Sequence, residues 1–279
     1  MAIQPPKRIM KWSLVYTFFR TLSLAHLERS LYSLSRQTVQ PDELIFFDNN
    51  TDFSESEILA VIRKYFDPAK MVISFNKHRD PKKTSASWCQ NHAIKLASHE
   101  VFVLGKADLI YDFKFCEKVV ETFCYHSHYG NQPLHFATCH LMQMAYLSGL
   151  PHETVDHAAD LEPLNWREDV QRLHQNTGGQ YGGSQYQTQT QGDAPSFCTT
   201  KTAMAEADWY DEDLVGWGYW QMSLQWDMQA KGVQFHVIPE TLMFHMLHAI
   251  EGPERSQALG MEEFNRSRRR QGIRNNFVA

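Results

Sequence analysis

Three short runs of side chains could together hold an anionic ligand and a divalent cation. Carboxylate oxygens are preferred ligands of Mg²⁺ and Mn²⁺, imidazole also suits Mn²⁺, and lysine binds phosphate oxygens. The runs are Lys106-Ala107-Asp108, Asp211-Glu212-Asp213, and the pair His245 and His248. These residue types suit cation and phosphate binding if the fold brings them together.

The elements that must position these residues alternate short apolar strands with amphipathic helices. Strands are predicted at residues 13–19, 44–47, 71–75 and 101–104. Helices are predicted from leucines recurring at three- and four-residue spacing after residue 24, from a Ser54–Glu57 capping box, and over about residues 85–97. This alternation is typical of an α/β fold, a mostly parallel sheet covered by helices.

Three of these strands have polar residues at or just after their carboxyl ends, in the segments 17–20, 48–50 and 106–108. In an open sheet of this kind, ligands bind at the carboxyl ends of the strands. We therefore expect these three segments to converge on one crevice.

The rest of the chain is less regular. Periodicity fades over residues 151–195, and residues 175–191 are rich in Gln, Gly, Tyr and Thr. A mobile functional loop at about 175–195 and a disordered insert both fit this composition. Two short strands are predicted at 233–237 and 242–244, and residues 251–279 form a charged C-terminal segment.

Composition excludes several classes of protein. The 279 residues are 43% hydrophobic, enough for a substantial core. No apolar run approaches the roughly 20 residues that span a bilayer, so we expect a cytoplasmic chain. Five cysteines without a CxxC pair argue against a disulfide framework. The net charge of −5 gives no global nucleic-acid signature.

Four blocks of residues agree with one family in type, order and spacing. The first runs from Thr17 and Arg20 to Asp48, the second contains Gln90 and Asn91, the third is Lys106-Ala107-Asp108, and the fourth is Asp211, Glu212, Leu214, Gly216, Trp217 and Gly218, followed by His245. Over about residues 12–250 the chain thereby resembles the family 2 glycosyltransferases and their GT-A relatives.

The resemblance implies one GT-A catalytic domain over residues 1–250. Residues 12–110 would form a Rossmann-like nucleotide-sugar-binding half, with helices on both faces of its sheet, and residues 111–250 a smaller acceptor-side half. The expected donor is a nucleotide diphosphate sugar, with UDP as the expected nucleotide.

Site residues follow from the same resemblance. Asp108 and His245 are expected to hold Mn²⁺ or Mg²⁺, with His248 either supporting these ligands from outside or substituting for His245. Thr17, Arg20, Asp48 and Asn91 are expected to hold the nucleotide, and Lys106 is expected beside the diphosphate. Trp217 and Gly218 are expected in the part of the site that faces the acceptor.

Three departures from the family pattern affect charge. Gln90 replaces an arginine, Lys106 replaces the first carboxylate of an Asp-x-Asp motif, and Tyr219, Trp220 and Gln221 stand where inverting members carry a Glu-Asp pair. A lysine at 106 could contact the diphosphate directly and weaken metal dependence. Three consequences of the lost pair stay open: a base relocated to Asp211, Glu212 or Asp213, a retaining reaction without an enzymic base, or binding without catalysis.

The acceptor is not fixed by the sequence. A saccharide is the family default, whereas a macromolecular acceptor, including nucleic acid or a DNA base, would be favoured by an arginine-rich segment. The arginine-rich segment contains Arg266, Arg268, Arg269, Arg270 and Arg274. A nucleotidyltransferase of similar fold is a further alternative, and the Gly216-Trp217-Gly218 block argues against it.

Overall fold

The computed structural model describes residues 10–19, 22–78, 85–129, 135–143, 186–187, 195–212, 214 and 220–246. Arg20, Asp213, Trp217, Gly218 and His248 lie outside these residues. So do most of the predicted loop at 175–195 and the arginine-rich segment.

Short strands and helices alternate through the described part of the chain, with the following bounds. The strands are β1 Trp12–Phe19, β2 Glu43–Asn49, β3 Val72–His78, β4 Val101–Lys106, β5 Leu109–Tyr111, β6 His135–Gln143, β7 Tyr186–Gln187, β8 Cys198–Thr200 and β9 Gln234–His245. The helices are α1 Leu24–Ser35, α2 Glu55–Tyr65, α3 Ala86–Leu96, α4 Phe115–Tyr129, α5 Lys201–Glu206 and α6 Trp220–Ala230.

The described strands form one sheet in the order β3-β2-β1-β4-β8-β6-β9-β5, with β7 paired to β6. The first four strands are parallel, β8 is antiparallel to β4, and β9 runs parallel to β6 and antiparallel to β5. The expected mostly parallel α/β sheet is confirmed, and strands from the second half of the chain extend it.

Helices cover both faces of the sheet because the central strands alternate apolar side chains between two cores. Leu14, Tyr16 and Phe18 of β1 pack with α1, α2 and α4, whereas Val15 packs with α3, α5 and α6. This burial on both faces explains the near-continuous apolar runs of these strands.

Local sequence signals set the starts of two helices. Ser54 Oγ accepts a hydrogen bond from the backbone N–H of Glu57, whose carboxylate accepts one from Ser54 N, which confirms the predicted capping box. Ser85 Oγ caps α3 by accepting from Trp88 N.

The prediction of two short strands after residue 232 is wrong, because β9 is a single strand with an irregularity. Its pairing with β6 stops at Ile238 and resumes at Leu242, so three residues are passed over. Pro239 lies in this gap and has no backbone N–H to donate, which favours a break in pairing there.

The structure bears on two expectations from composition, those about membrane-spanning segments and about the cysteines. Within them, no helix is both long and apolar enough to cross a bilayer. All five cysteines are free, and burial raises the pKa of the Cys89, Cys116, Cys139 and Cys198 thiols. They are therefore poor nucleophiles and act as packing residues.

The end of β4 leaves no room for a side chain at Gly105. A Cβ atom there would lie 2.9 Å from Tyr16 Cδ2 and 3.2 Å from Leu14 Cδ1. Gly105→Ala should therefore lower the free energy of unfolding by about 1–3 kcal/mol, the usual cost of overpacking, measured by urea denaturation.

The matched control is the same substitution in a Tyr16→Leu background, where the ring that would clash is absent. The cost of Gly105→Ala should be smaller there. An equal cost in both backgrounds would show that the Tyr16 ring is not the obstacle.

Candidate functional site

Strand register places three polar strand ends at one edge of the sheet. Thr17 of β1 lies opposite Lys106 of β4, and Phe18 lies opposite Asp48 of β2. The predicted convergence of segments 17–20, 48–50 and 106–108 is confirmed for their described residues. Thr17 is fully buried, and its hydroxyl has no hydrogen-bond partner among the described residues.

Asp48 is the centre of a buried ion pair. Its Oδ2 lies 2.8 Å from Lys77 Nζ, and its Oδ1 accepts a hydrogen bond from Thr51 N at 3.1 Å. Lys77 Nζ also donates to the carbonyl oxygens of Thr51 and Phe53. Asp48 and Lys77 therefore tie the end of β3 to the loop after β2, and contact between Asp48 and a nucleotide base stays a prediction.

Asn91 on α3 binds a turn at residues 208–212, called here the 208–212 turn. Its Nδ2 donates to Tyr210 O and to Glu212 Oε1, both at 2.9 Å, and its Oδ1 accepts from Tyr210 N at 3.0 Å. Both N–H groups of this amide are thus engaged within the protein. Sequence reasoning missed this supporting role, because nothing in the sequence shows which distant turn an asparagine faces.

The 208–212 turn begins in a strained backbone conformation. Asp208 and Trp209 have φ values of 57° and 66°, in the left-handed region that disfavours residues other than glycine. Contacts that hold them there include a hydrogen bond from Trp209 N to Met204 O and the Lys95 ammonium group over the Trp209 ring. These contacts hold in place the turn that carries Asp211 and Glu212.

A surface cleft of about 590 Å³ opens beside this turn. Its walls include Asn91, Lys95, Asp211, Glu212, Asp227 and Lys231. These residues come from α3, in the half expected to bind the nucleotide sugar, and from the turn and the C-terminal end of α6, in the half expected to face the acceptor.

Hydrogen bonds from neighbouring elements hold the backbone of Lys106 in place. Its N–H donates to Tyr111 Oη at 2.8 Å, and its carbonyl oxygen accepts from Ser30 Oγ at 2.9 Å. Burial raises the pKa of Tyr111, so this phenol stays neutral and can serve as acceptor. The end of β4 is therefore anchored to α1 and β5.

The Lys106 side chain lies against the first residue of α6. Its ammonium nitrogen is 4.5 Å from the centre of the Trp220 ring, and the Tyr210 ring makes a T-shaped contact with the same indole, with centroids 5.2 Å apart. A cation over an aromatic face is attracted by the ring quadrupole. Two of the departures from the family pattern, at positions 106 and 220, are thus in contact with each other.

Asp108 and His245 meet at the same edge of the sheet. Asp108 Oδ2 lies 3.4 Å from His245 Nε2, and Met246 N donates to Asp108 O at 2.8 Å. Antiparallel pairing of β5 with β9, which places Leu109 opposite His245, brings them together.

The spacing of these two side chains fits a shared divalent cation. Ligand bonds of about 2.1 Å allow two atoms up to about 4.2 Å apart to reach one ion. No cluster of three or more metal-binding side chains occurs among the described residues.

The departures from the family pattern at positions 90, 220 and 221 place side chains without an ionisable group at buried positions. Gln90 is fully buried, and its side-chain amide has no hydrogen-bond partner within the described part of the chain. Trp220 and Gln221, which stand in place of a carboxylate pair, are 7% and 9% exposed. Neither can act as a base near neutral pH.

The sequence matches the family model described as Glycosyl transferase family 2 over residues 14–199. No curated protein matches the sequence. Solved structures share the fold at low identity. TarS from S. aureus has a TM-score of 0.55 at 12% identity, covering 85% of this chain and 37% of TarS.

Two further structures carry ligands. S. aureus TarS 1-349 in complex with UDP has a TM-score of 0.53 at 12% identity, covering 92% of this chain and 65% of that one. GalNAc-T7 with UDP, GalNAc and Mn²⁺ has a TM-score of 0.57 at 10% identity, covering 91% of this chain and 48% of that one. The chain therefore spans about a third to two thirds of the length of these neighbours, and its sheet is that of a GT-A fold.

The buried Asp48–Lys77 pair should be sensitive to loss of one partner. Asp48→Asn leaves a buried ammonium group without its counter-charge and should lower the free energy of unfolding by about 3–5 kcal/mol in urea denaturation. Adding Lys77→Met should recover part of that loss, because the uncompensated charge is then removed.

An exposed ion pair provides the control. Glu28 and Lys64 are 41% and 60% exposed, so Glu28→Gln should change stability little. A double variant as unstable as the sum of its single variants would show that Asp48 and Lys77 do not interact.

Proposed function

The chain belongs to glycosyl transferase family 2, and from that premise we propose that it moves a sugar from a nucleoside diphosphate sugar to an acceptor hydroxyl with the help of a divalent cation. UDP is the expected nucleotide. The observation that carries the proposal is the meeting of Asp108 and His245 at the edge where β1, β2 and β4 end. UDP in two of the similar structures, and Mn²⁺ in one, support the same ligands here.

On the donor side, Asp108 and His245 would hold the cation. A bound cation stabilises the negative charge that develops on a diphosphate leaving group. Lys106 would donate hydrogen bonds to the same diphosphate, while Thr17 and Arg20 would lie against the nucleotide.

Asp48 and Asn91 act differently from the other donor-side residues in this proposal. Asp48 is fully buried and paired with Lys77, and the Asn91 amide is engaged by the 208–212 turn. These contacts favour a supporting role for both side chains, in which they fix the walls of the crevice.

On the acceptor side, we assign proton removal to a carboxylate of residues 211–213. Asn91 orients Glu212 by a hydrogen bond, and Asp211 and Glu212 both line the 590 Å³ cleft. A general base needs this combination of a fixed carboxylate and access to an acceptor. Trp217 and Gly218, which follow these carboxylates in sequence, are proposed to contact the acceptor.

A second candidate function is nucleotide-sugar binding without transfer. The burial of Trp220 and Gln221, where inverting relatives carry carboxylates, favours it. Such a protein would bind donor and release no nucleoside diphosphate.

The main test is a donor screen that measures nucleoside diphosphate release from common nucleotide sugars, with Mn²⁺ or with EDTA. The wild-type protein should release product from one donor in Mn²⁺. Asp108→Ala should lose that release and the additional rise in melting temperature that Mn²⁺ produces in the presence of donor, because ligand bound only to the native state stabilises it.

The control for Asp108→Ala is Asp67→Ala, since Asp67 is a half-exposed carboxylate in the turn between α2 and β3. It should behave as wild type. An unchanged melting shift in Asp108→Ala would remove Asp108 from the metal site. Donor binding without any release would favour the second candidate function.

A relocated base predicts a selective loss of transfer. One of Asp211→Asn, Glu212→Gln and Asp213→Asn should lower kcat by about 10²- to 10⁴-fold with donor affinity kept, the range typical of general-base loss. The other two variants serve as controls of equal charge change. If none of the three loses that much and NMR shows that product and donor share one anomeric configuration, the reaction is retaining and needs no such base.

A further inference from the structure

Lys106 is a buried cation at a crevice proposed to bind a diphosphate. Lys106 and Trp220 are each 7% exposed, and the ammonium nitrogen lies 4.5 Å from the ring centre. Removing an ammonium group from water costs free energy unless neighbours compensate, and the indole face supplies part of that compensation. An anionic ligand that reaches this position would therefore interact with an ammonium group that is already largely desolvated.

We propose that Lys106, positioned by Trp220, is a fixed cation that binds the donor diphosphate directly, so that nucleoside diphosphate binding persists without a divalent metal. The inference rests on the proposed function, since it needs a nucleoside diphosphate in this crevice. Lys106 is the contacting residue, and Trp220 is a positioning residue that acts through it.

The location of Lys106 supports this role. Its backbone lies opposite Thr17, at the strand edge expected to bind nucleotide, and two residues before the proposed metal ligand Asp108. An ammonium group has three N–H donors, so contact with a ring face is compatible with donation to a phosphate oxygen.

Several contacts limit the movement of this lysine before any ligand arrives. Tyr111 and Ser30 hold its backbone, and the Trp220 ring packs on its ammonium group. Trp220 is itself packed by Tyr210, whose backbone is bound by Asn91. A long side chain restrained in this way loses less conformational entropy when it binds.

The test compares UDP, GDP and ADP with their nucleosides by isothermal titration calorimetry, first in EDTA and then, for the diphosphates, in Mn²⁺. The wild-type protein should bind one of the diphosphates in EDTA more tightly than its nucleoside. Lys106→Gln should lower affinity for that diphosphate about 10- to 100-fold and leave the nucleoside unaffected, because a charge-assisted hydrogen bond to the diphosphate is lost.

Variants at Trp220 test the positioning role. Trp220→Leu should lower diphosphate affinity in EDTA, by less than Lys106→Gln does, again without affecting the nucleoside. Trp220→Phe keeps an aromatic face and should retain most of the wild-type affinity. Equal losses in the Leu and Phe variants would show that Trp220 acts through packing alone and would overturn its assigned role.

Three outcomes separate this inference from the proposed function. A Lys106→Gln variant that binds the diphosphate in EDTA as tightly as wild type overturns the inference. Wild-type binding that requires Mn²⁺ also overturns it and leaves the proposed function in place, whereas no diphosphate binding under either condition overturns the proposed function. Should Lys106→Gln fail to fold, Trp220→Leu decides: unchanged diphosphate affinity overturns the inference, and a loss confined to the diphosphate supports it.

Discussion

Parallel pairing of β1 with β2 on one side and β4 on the other determines where the polar ends of these strands lie. The register aligns Thr17 with Lys106 and Phe18 with Asp48, so residues distant in sequence share one edge of the sheet. A shift of one residue would turn every side chain of a strand to the opposite face. The two apolar cores resist such a shift, since each strand contributes alternately to both.

The second half of the chain joins this edge through a continuous series of contacts. Asn91 binds the backbone of Tyr210, the Tyr210 ring packs on Trp220, and Trp220 packs on the ammonium group of Lys106. The carboxylates proposed to face the acceptor are therefore held by residues that are also connected to Lys106, on the proposed donor side. An aromatic residue at position 220 replaces an ionisable side chain with a packing surface, and a cation at position 106 makes use of that surface.

Sequence predicted the parts of this molecule that depend on local pattern. Leucine spacing and the Ser54–Glu57 box identified helices, and apolar runs identified the four parallel strands. No local signal could reveal β5, which has three residues, or the union of two predicted strands in β9. The nearness of Asp108 and His245 depends on non-local strand pairing, so only the family resemblance predicts it. The sequence does not predict the contact of Lys106 with Trp220, because a tryptophan at the start of a helix is equally compatible with a place in the hydrophobic core.

The antiparallel pairing of β5 with β9 also has a consequence for how the protein is made. β5 follows β4 after a two-residue turn, whereas β9 is the last described strand. Pairs this distant along a chain close late, because the loop-closure entropy must first be overcome. A nascent chain that has emerged only as far as β8 contains Asp108 without His245, so the cation site proposed for these two residues cannot form until synthesis has passed β9. On that proposal, a metal ion would be captured only by molecules in which β5 and β9 have already paired.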